Sequence, residues 1–413
     1  MRFDTYPLAP ILKENISLLG WRRPTDIQYK AIPSVLRGED VLAIAQTGTG
    51  KTAAFAIPAI QHILNLQGKD RYQSATRCLI MVPTHELALQ ISDVLSTLSR
   101  KTKVSILAIF GGVGQDEQID GLRKGAEIVV ATPGRLFDLR SQGHLDLTSV
   151  DFLVLDEADH MLDLGFITDI RDLMRFLPQK RQTLFFSATI DKKIKKLAYS
   201  LVKNPIRIQI SPKNPVSKNV HHTVAFVEMD DKRFFLERLI RENPDQKILV
   251  FVRTRVRAER VQKAMARVDI SCQFLHGDVV QRERSAVLES FRSGEVKILV
   301  ATDVSARGIH IPDVQYVVNY DLPDQIENYV HRVGRTGRGK HRGFAISFCS
   351  DQERDLLQKI ETFIKGEIEI FPIKPGEQEI TRDLSTDFRF DMDALLKDVE
   401  RTEKKQRGKW KGK

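Results

Sequence analysis

Short apolar, β-branched runs alternate with longer amphipathic stretches through most of the chain. In the first half, Asp40–Ala45, Cys78–Val82, Ser105–Phe110, Ile128–Ala131, Phe152–Leu155, Thr183–Phe186 and Ile206–Ile210 read as strands. Between them, Glu86–Leu98 and Ile167–Phe176 place apolar residues at helical spacing. Strand, helix, strand at this spacing predicts an α/β fold, a mostly parallel sheet covered by helices on both faces.

The rhythm breaks once. Residues 211–219 read SPKNPVSKN, with two prolines, two asparagines and no apolar periodicity, the signature of a linker or surface crossing. It then restarts: Ile248–Val252, Ile298–Ala301, Tyr316–Asn319 and Phe344–Phe348 are strand candidates, and Arg255–Ala266 and Arg282–Phe291 are helical. The pattern predicts two tandem α/β domains, residues 1–210 and 220–374, joined by 211–219. An extension, 375–413, thins in apolar content, with a last short helix predicted at Asp391–Glu400 before a basic tail.

Composition agrees with this division. A length of 413 residues suggests two or three domains at roughly 100–200 residues each, and 42% hydrophobic content suffices for packed cores. Apolar runs such as Ile106–Phe110 are about five residues long, against the ~20 of a membrane span. The opening MRFDTYPLAPILKE has no apolar leader core, so a cytoplasmic protein is expected. Cys78, Cys272 and Cys349 lie far apart, which predicts buried small hydrophobes instead of a disulfide or zinc framework.

Charge changes the picture more. The net is +10, and residues 401–413 alone hold seven basic residues and one acid. Such a tail suits a polyanion: RNA, DNA and an acidic membrane surface all fit, as does simple solubilisation.

Three stretches carry candidate chemistry. AQTGTGKT, residues 45–52, lies between a strand and a helix, the context of a phosphate-binding loop. Its glycines Gly48 and Gly50 let backbone N–H groups face phosphate oxygens, Lys51 brings a positive charge, and the Thr52 hydroxyl can reach Mg²⁺. FLVLDEAD ends an apolar strand with adjacent carboxylates. Asp156 is placed to hold Mg²⁺ and Glu157 to deprotonate an attacking water. HRVGRTGRG, residues 331–339, offers Arg335 and Arg338 to stabilise charge developing on a γ-phosphate.

Taken together, these residues resemble the DEAD-box ATP-dependent RNA helicases. The likeness spans nearly all of residues 1–350 and includes RPTDIQ with Phe3 upstream, PTHELA (83–88), GG (111–112), TPGR (132–135), SAT (187–189), LVFVRT (249–254), QRER (281–284) and ATDVSARGIHIPDV (301–314). The short N-terminus and brief basic tail are most similar to the bacterial RhlE-like branch.

The resemblance implies two tandem RecA-like domains and an RNA-dependent ATPase that clamps RNA and parts short duplexes, using ATP and Mg²⁺. It implies that Gln28 reads the adenine edge and Phe3 packs on the base. Ala45, Gln46, Thr47, Gly48, Thr49, Gly50, Lys51 and Thr52 would grip the nucleotide, joined by Gly308 and by His310 at a ribose-contacting position. Pro83, Thr84, Gly112, Thr132, Gly134 and Arg135 would hold one RNA strand from the first domain, and Gln281, Arg284 and Thr302 from the second. These are backbone contacts, so binding would be largely sequence-independent. Ser187 and Thr189 would couple the Mg²⁺ site to domain closure. No membrane is implied; ribosome-assembly and RNA-decay proteins stay open as partners. The sequence departs from the family pattern at His85, usually arginine, at Asp26, usually proline, and at His310, usually aspartate.

Overall fold

The computed structural model describes residues 2–46, 48–68, 75–190, 192–210, 216–306, 311, 313–337, 342–373 and 381. They divide into two compact units, one within Met1–Lys213 and the other within Asn214–Ala306 and Ile311–Lys413.

The first unit is built on β1 (Val41–Ala45), β2 (Cys78–Met81), β3 (Ile106–Ile109), β4 (Ile128–Ala131), β5 (Phe152–Leu155), β6 (Gln182–Ser187) and β7 (Ile206–Ile210). Their order across the sheet is β3-β4-β2-β5-β6-β1-β7, and every neighbouring pair is parallel. Alternate side chains of each strand serve two different cores. Val41, Ala43 and Ala45 join the cluster containing Ile27, Phe55 and Ile91, whereas Leu42 and Ile44 join the one containing Leu136, Ile170 and Leu197. Helices Asp26–Leu36, Lys51–Gln67 and His85–Leu98 therefore cover one face, and Pro133–Ser141, Ile167–Phe176 and Lys192–Leu201 the other. Burial on both faces is why the central strands read as continuous apolar runs.

The second unit holds β8 (Val220–Phe226), β9 (Ile248–Phe251), β10 (Gln273–Leu275), β11 (Ile298–Ala301), β12 (Tyr316–Asn319), β13 (Gly343–Cys349) and β14 (Glu369–Ile370). Their order is β10-β11-β9-β12-β13-β8-β14, again parallel throughout. Numbered from the first strand of each unit, the two permutations are identical. Three of these strands escape the sequence pattern. β8 interrupts its apolar run with His221 and His222, β10 is three residues long, and β14 is a two-residue exposed edge.

A buried ion pair ties the second sheet to its helices. The fully buried Lys232 ammonium donates to Glu353 Oε2 at 2.5 Å and to the Tyr320 carbonyl at 2.8 Å. Burial alone would raise the Glu353 carboxyl. Lys232, with the Ser350 N–H and hydroxyl, outweighs it and holds the group below the ordinary glutamate range.

All three cysteines are free and buried. Among the described residues no helix is long and apolar enough to cross a membrane. The predicted helix Asp391–Glu400, the basic tail and the first five residues of the predicted linker lie outside the described residues.

Candidate functional site

The loop after β1 turns directly into helix Lys51–Gln67. Gly50 caps that helix in the left-handed region, at φ +92°, and a Cβ there would come within 2.5 Å of Gln28 Nε2. The space is used. Gln28 Nε2 donates to the Gly50 carbonyl at 3.1 Å, while its Oε1 accepts the Thr25 N–H at 3.0 Å. Gln28 is thus the third residue of a capping box on helix Asp26–Leu36 and at the same time a brace on the phosphate loop. One amide hydrogen and one lone pair are left over by these two bonds. Thr49 Oγ1 closes the loop on the Gln46 carbonyl at 2.7 Å. Thr47 lies outside the described residues. Phe3 is buried against Tyr6, their centroids 6.1 Å apart.

Lys51 opens the helix with only 6% of its surface exposed, and its Nζ has no hydrogen-bond partner among the described residues. A buried ammonium without a hydrogen bond is costly unless an anion arrives to meet it. Phosphate oxygens are the anions that a helix N-terminus favours. The Thr52 hydroxyl is half-buried on the same first turn.

At the carboxyl end of β5, Asp156 is 2% exposed and its Oδ1 accepts the Glu157 N–H at 2.9 Å. Burial is the main cause that pushes its carboxyl up to about 6; Glu157 and Asp159 add to the rise and Lys51 opposes it. Glu157 itself sits at φ 51°, ψ 47° and caps the short helix Ala158–Asp163. A non-glycine residue in that region costs about 1–3 kcal/mol, and such strain collects at functional sites. His160 Nδ1 lies 3.4 Å from Glu157 Oε2.

Asp159, the fourth residue of the acidic stretch, was not singled out by sequence reasoning. Its Oδ2 accepts the N–H groups of Ala188 and Thr189 at 3.1 Å each and the Thr189 hydroxyl at 3.3 Å. Ser187, at the end of β6, donates to the Thr189 carbonyl at 2.8 Å. The acids after β5 and the SAT turn after β6 are therefore one hydrogen-bonded unit. Among the described residues no group of three or more His, Cys, Asp and Glu could hold a metal. Thr52 and Asp156 offer hard oxygen donors only, which suits Mg²⁺, a cation that takes most of its ligands from water and substrate phosphate.

The expected strand-gripping residues of the first unit gather at the ends of β2, β3 and β4. Thr84 caps helix His85–Leu98 by accepting the Leu87 N–H at 3.3 Å. Thr132 caps Pro133–Ser141, in which Gly134 is exposed. Arg135 donates to the Val113 carbonyl, beside Gly112, at 2.8 Å, and its Nη1 is without a hydrogen-bond partner among the described residues. Pro83 is buried. His85 stacks on Phe110 with centroids 3.7 Å apart, so the ring that replaces the family's arginine is committed to packing.

In the second unit, Gln281 begins helix Gln281–Ser293, and Arg284 donates to the Ser305 carbonyl at 2.7 Å. Thr302 exchanges a 3.0 Å hydroxyl bond with Ser305. Arg335 donates from Nε to the His331 carbonyl at 3.2 Å. Gly337, at φ +67°, packs where a Cβ would meet Val220 at 2.5 Å, fixing this arginine loop against β8. Arg332, in the same HRVGRTGRG stretch but given no role from the sequence, is 1% exposed and clasps Asp303 through two bonds of 2.6 and 2.7 Å. Gly308, His310 and Arg338 lie outside the described residues.

Comparison with known proteins supplies the context. The sequence profile of the DEAD/DEAH box helicases matches residues 25–197, and that of the helicase conserved C-terminal domain matches 231–340. The ATP-dependent RNA helicase RhlB of Shewanella frigidimarina is 39% identical over 401 residues, covering 96% of this chain and 88% of that protein. The ATP-dependent RNA helicase DBP3 of Lodderomyces elongisporus is 42% identical over 366 residues, covering 86% and 68%. Among solved structures, S. cerevisiae Dbp5 bound to RNA and ADP BeF3 superposes with a TM-score of 0.79 at 29% identity, covering 94% and 99% of the two chains. Mss116p bound to single-stranded RNA and AMP-PNP gives 0.81 at 26%, covering 98% and 87%.

Proposed function

The chain belongs to the DEAD-box family of ATP-dependent RNA helicases, and from that premise we propose how its residues divide the work. It is an RNA-dependent ATPase that binds RNA and locally unwinds short duplexes. Residues 1–210 and 220–374 act as its two RecA-like domains, joined through 211–219, and the basic end of 375–413 adds phosphate contacts.

ATP is the substrate. Its phosphates meet the loop 45–52 and the Lys51 ammonium, its adenine meets the free amide positions of Gln28, and Phe3 backs the base. Gly308 and His310 approach the ribose. Thr52 and Asp156 hold Mg²⁺, which when bound neutralises phosphate charge. Glu157 takes the proton of the attacking water as the new P–O bond forms and the bond to the ADP oxygen breaks. Arg335 and Arg338 stabilise the charge on the transferring phosphoryl group. Pro83, Thr84, Gly112, Thr132, Gly134, Arg135, Gln281, Arg284 and Thr302 hold the RNA backbone. Ser187 and Thr189, bonded to each other and through Thr189 to Asp159, couple the Mg²⁺ site to domain closure.

The observation that carries this assignment is the buried Lys51 ammonium without a hydrogen bond, set beside the buried Asp156. The test is Glu157→Gln. Loss of a general base lowers turnover by ~10²–10⁴-fold, while ATP and RNA binding persist. Near-normal turnover would remove Glu157 from the role. Within the family, similarity to RhlB and DBP3 proteins does not support the expected RhlE-like branch. A cytoplasmic setting fits an enzyme that needs both RNA and ATP.

A further inference from the structure

We propose that the second unit carries an anion site for a small polyphosphorylated molecule, in the hollow beside helices Lys232–Glu242 and Arg255–Arg267. The hollow has a volume of about 560 Å³, within the roughly 300–1,000 Å³ typical of small-molecule sites. None of its lining residues belongs to the motifs that carry the family resemblance.

Five cations line it: Arg233, Arg257, Arg260, Lys263 and Arg267. Helical spacing aligns four of them along one helix. Positions 257, 260, 264 and 267 fall on a single face, so Arg257, Arg260 and Arg267 project around Ala264. Like charges three residues apart, as in Arg257/Arg260 and Arg260/Lys263, weaken a helix unless an anion lies between them. Asp230 is the only carboxylate in the lining. Asp321, buried 3.4 Å from Arg257, pairs with its guanidinium, which also donates to Met229 Sδ at 3.1 Å.

The floor is apolar. Met229, Val261 and Ala264 surround the buried ring of Tyr320, which lies 5.9 Å from the Arg257 guanidinium. A low-dielectric floor under a ring of cations concentrates their field on whatever enters. Guanidinium forks match phosphate geometry in pairs. A nucleic-acid strand needs a groove that tracks its backbone, whereas this hollow lies between one loop, two helices and Tyr320 at one strand end. Its position supports the same conclusion. Met229 and Asp230 belong to the loop after β8, the counterpart in this sheet of the phosphate loop after β1, and parallel sheets take ligands at that edge.

The test uses the full chain with ADP at saturation, so that the phosphate loop is filled. Inorganic tripolyphosphate is titrated by calorimetry into wild type, Arg260→Ser/Lys263→Ser and Arg260→Lys. Both replaced side chains are exposed, so the fold is unaffected. Wild type binds at one saturable site, the double variant binds roughly tenfold or more weakly, and Arg260→Lys, which keeps the charge but loses the fork, falls between the two. Equal affinity in wild type and the double variant overturns the proposal, as does the absence of saturable binding to wild type. Loss of single-stranded RNA affinity in the double variant, with tripolyphosphate binding unchanged, overturns it in favour of an RNA path.

Discussion

Lys51 and Lys232 are counterparts in the two units. Each is the first residue of the helix that follows the first strand of its sheet, and five residues separate strand from helix in both cases. Each ammonium is buried. There the likeness stops. The first linker, QTGTG, is short-chained and carries no charge; the second, VEMDD, carries three acids. Lys51 Nζ makes no hydrogen bond among the described residues, and the acid beside it, Asp156, is pushed up. Lys232 is bonded to Glu353 and to Tyr320, and its acid is pulled down. Buried charge that the protein satisfies itself serves architecture. Buried charge left unsatisfied marks where a ligand completes the structure.

Replacing each lysine by methionine should separate these cases. Lys51→Met removes a desolvated charge that has no hydrogen bond to lose. Its melting temperature should hold or rise, while RNA-stimulated ATP turnover falls by ~10²–10³-fold, the scale of losing one transition-state donor. Lys232→Met takes from the Glu353 carboxylate its fully buried cation, leaving the half-exposed Arg253 and the Ser350 and Leu322 donors, and should cost about 3 kcal/mol in the second unit's unfolding transition. Denaturant melts of both variants, with turnover assays alongside, give the comparison. Equal destabilisation by the two changes would break it.

Asp159→Asn is a finer probe of the first unit. It keeps an acceptor but loses the charge that holds Ala188, Thr189 and the Thr189 hydroxyl, which should cost about 1–3 kcal/mol. ATP binding should survive and duplex unwinding should drop further than ATP turnover. A parallel fall in both rates would show that Asp159 only supports the fold.

The smallest effect is a pH dependence confined to the second unit. Glu353 titrates below its unfolded value of 4.5, so the folded state binds its proton later than the unfolded chain does as pH falls. Its stabilisation is therefore complete above pH 4.5 and is lost as pH drops through the folded value. Thermal melts between pH 3 and 6, on the order of this window, should be less steep with pH in Glu353→Gln than in wild type. Identical slopes would mean that the ion pair is inert.

The sequence made the central strands legible because burial on both faces writes an unbroken apolar run. Ile128–Ala131 and Phe152–Leu155 match the observed bounds residue for residue. It hid β8, whose paired histidines break the run, and β14, which is an edge of two residues. At the site, residues that announce themselves by local chemistry were readable: the loop 45–52, and Asp156 with Glu157 after a strand. Asp159 was not. Its importance comes from N–H groups thirty residues away that only the finished sheet brings to it. The same holds for Lys232 and Glu353, 121 residues apart in sequence, and for Arg332, whose neighbours in the chain are exposed-looking glycines and arginines but whose neighbour in space is Asp303.

Gly50 has a consequence for anyone randomising this gene. Two separate barriers guard the position, a left-handed backbone and a Cβ that would displace the Gln28 amide. Asparagine, which tolerates the first, still fails the second. A variant that escaped by swinging Gln28 aside would break the amide's bond to the Gly50 carbonyl and move the group that we propose reads the base. Selection for folded protein and selection for nucleotide choice would then disagree about this codon, and only synonymous changes would pass both.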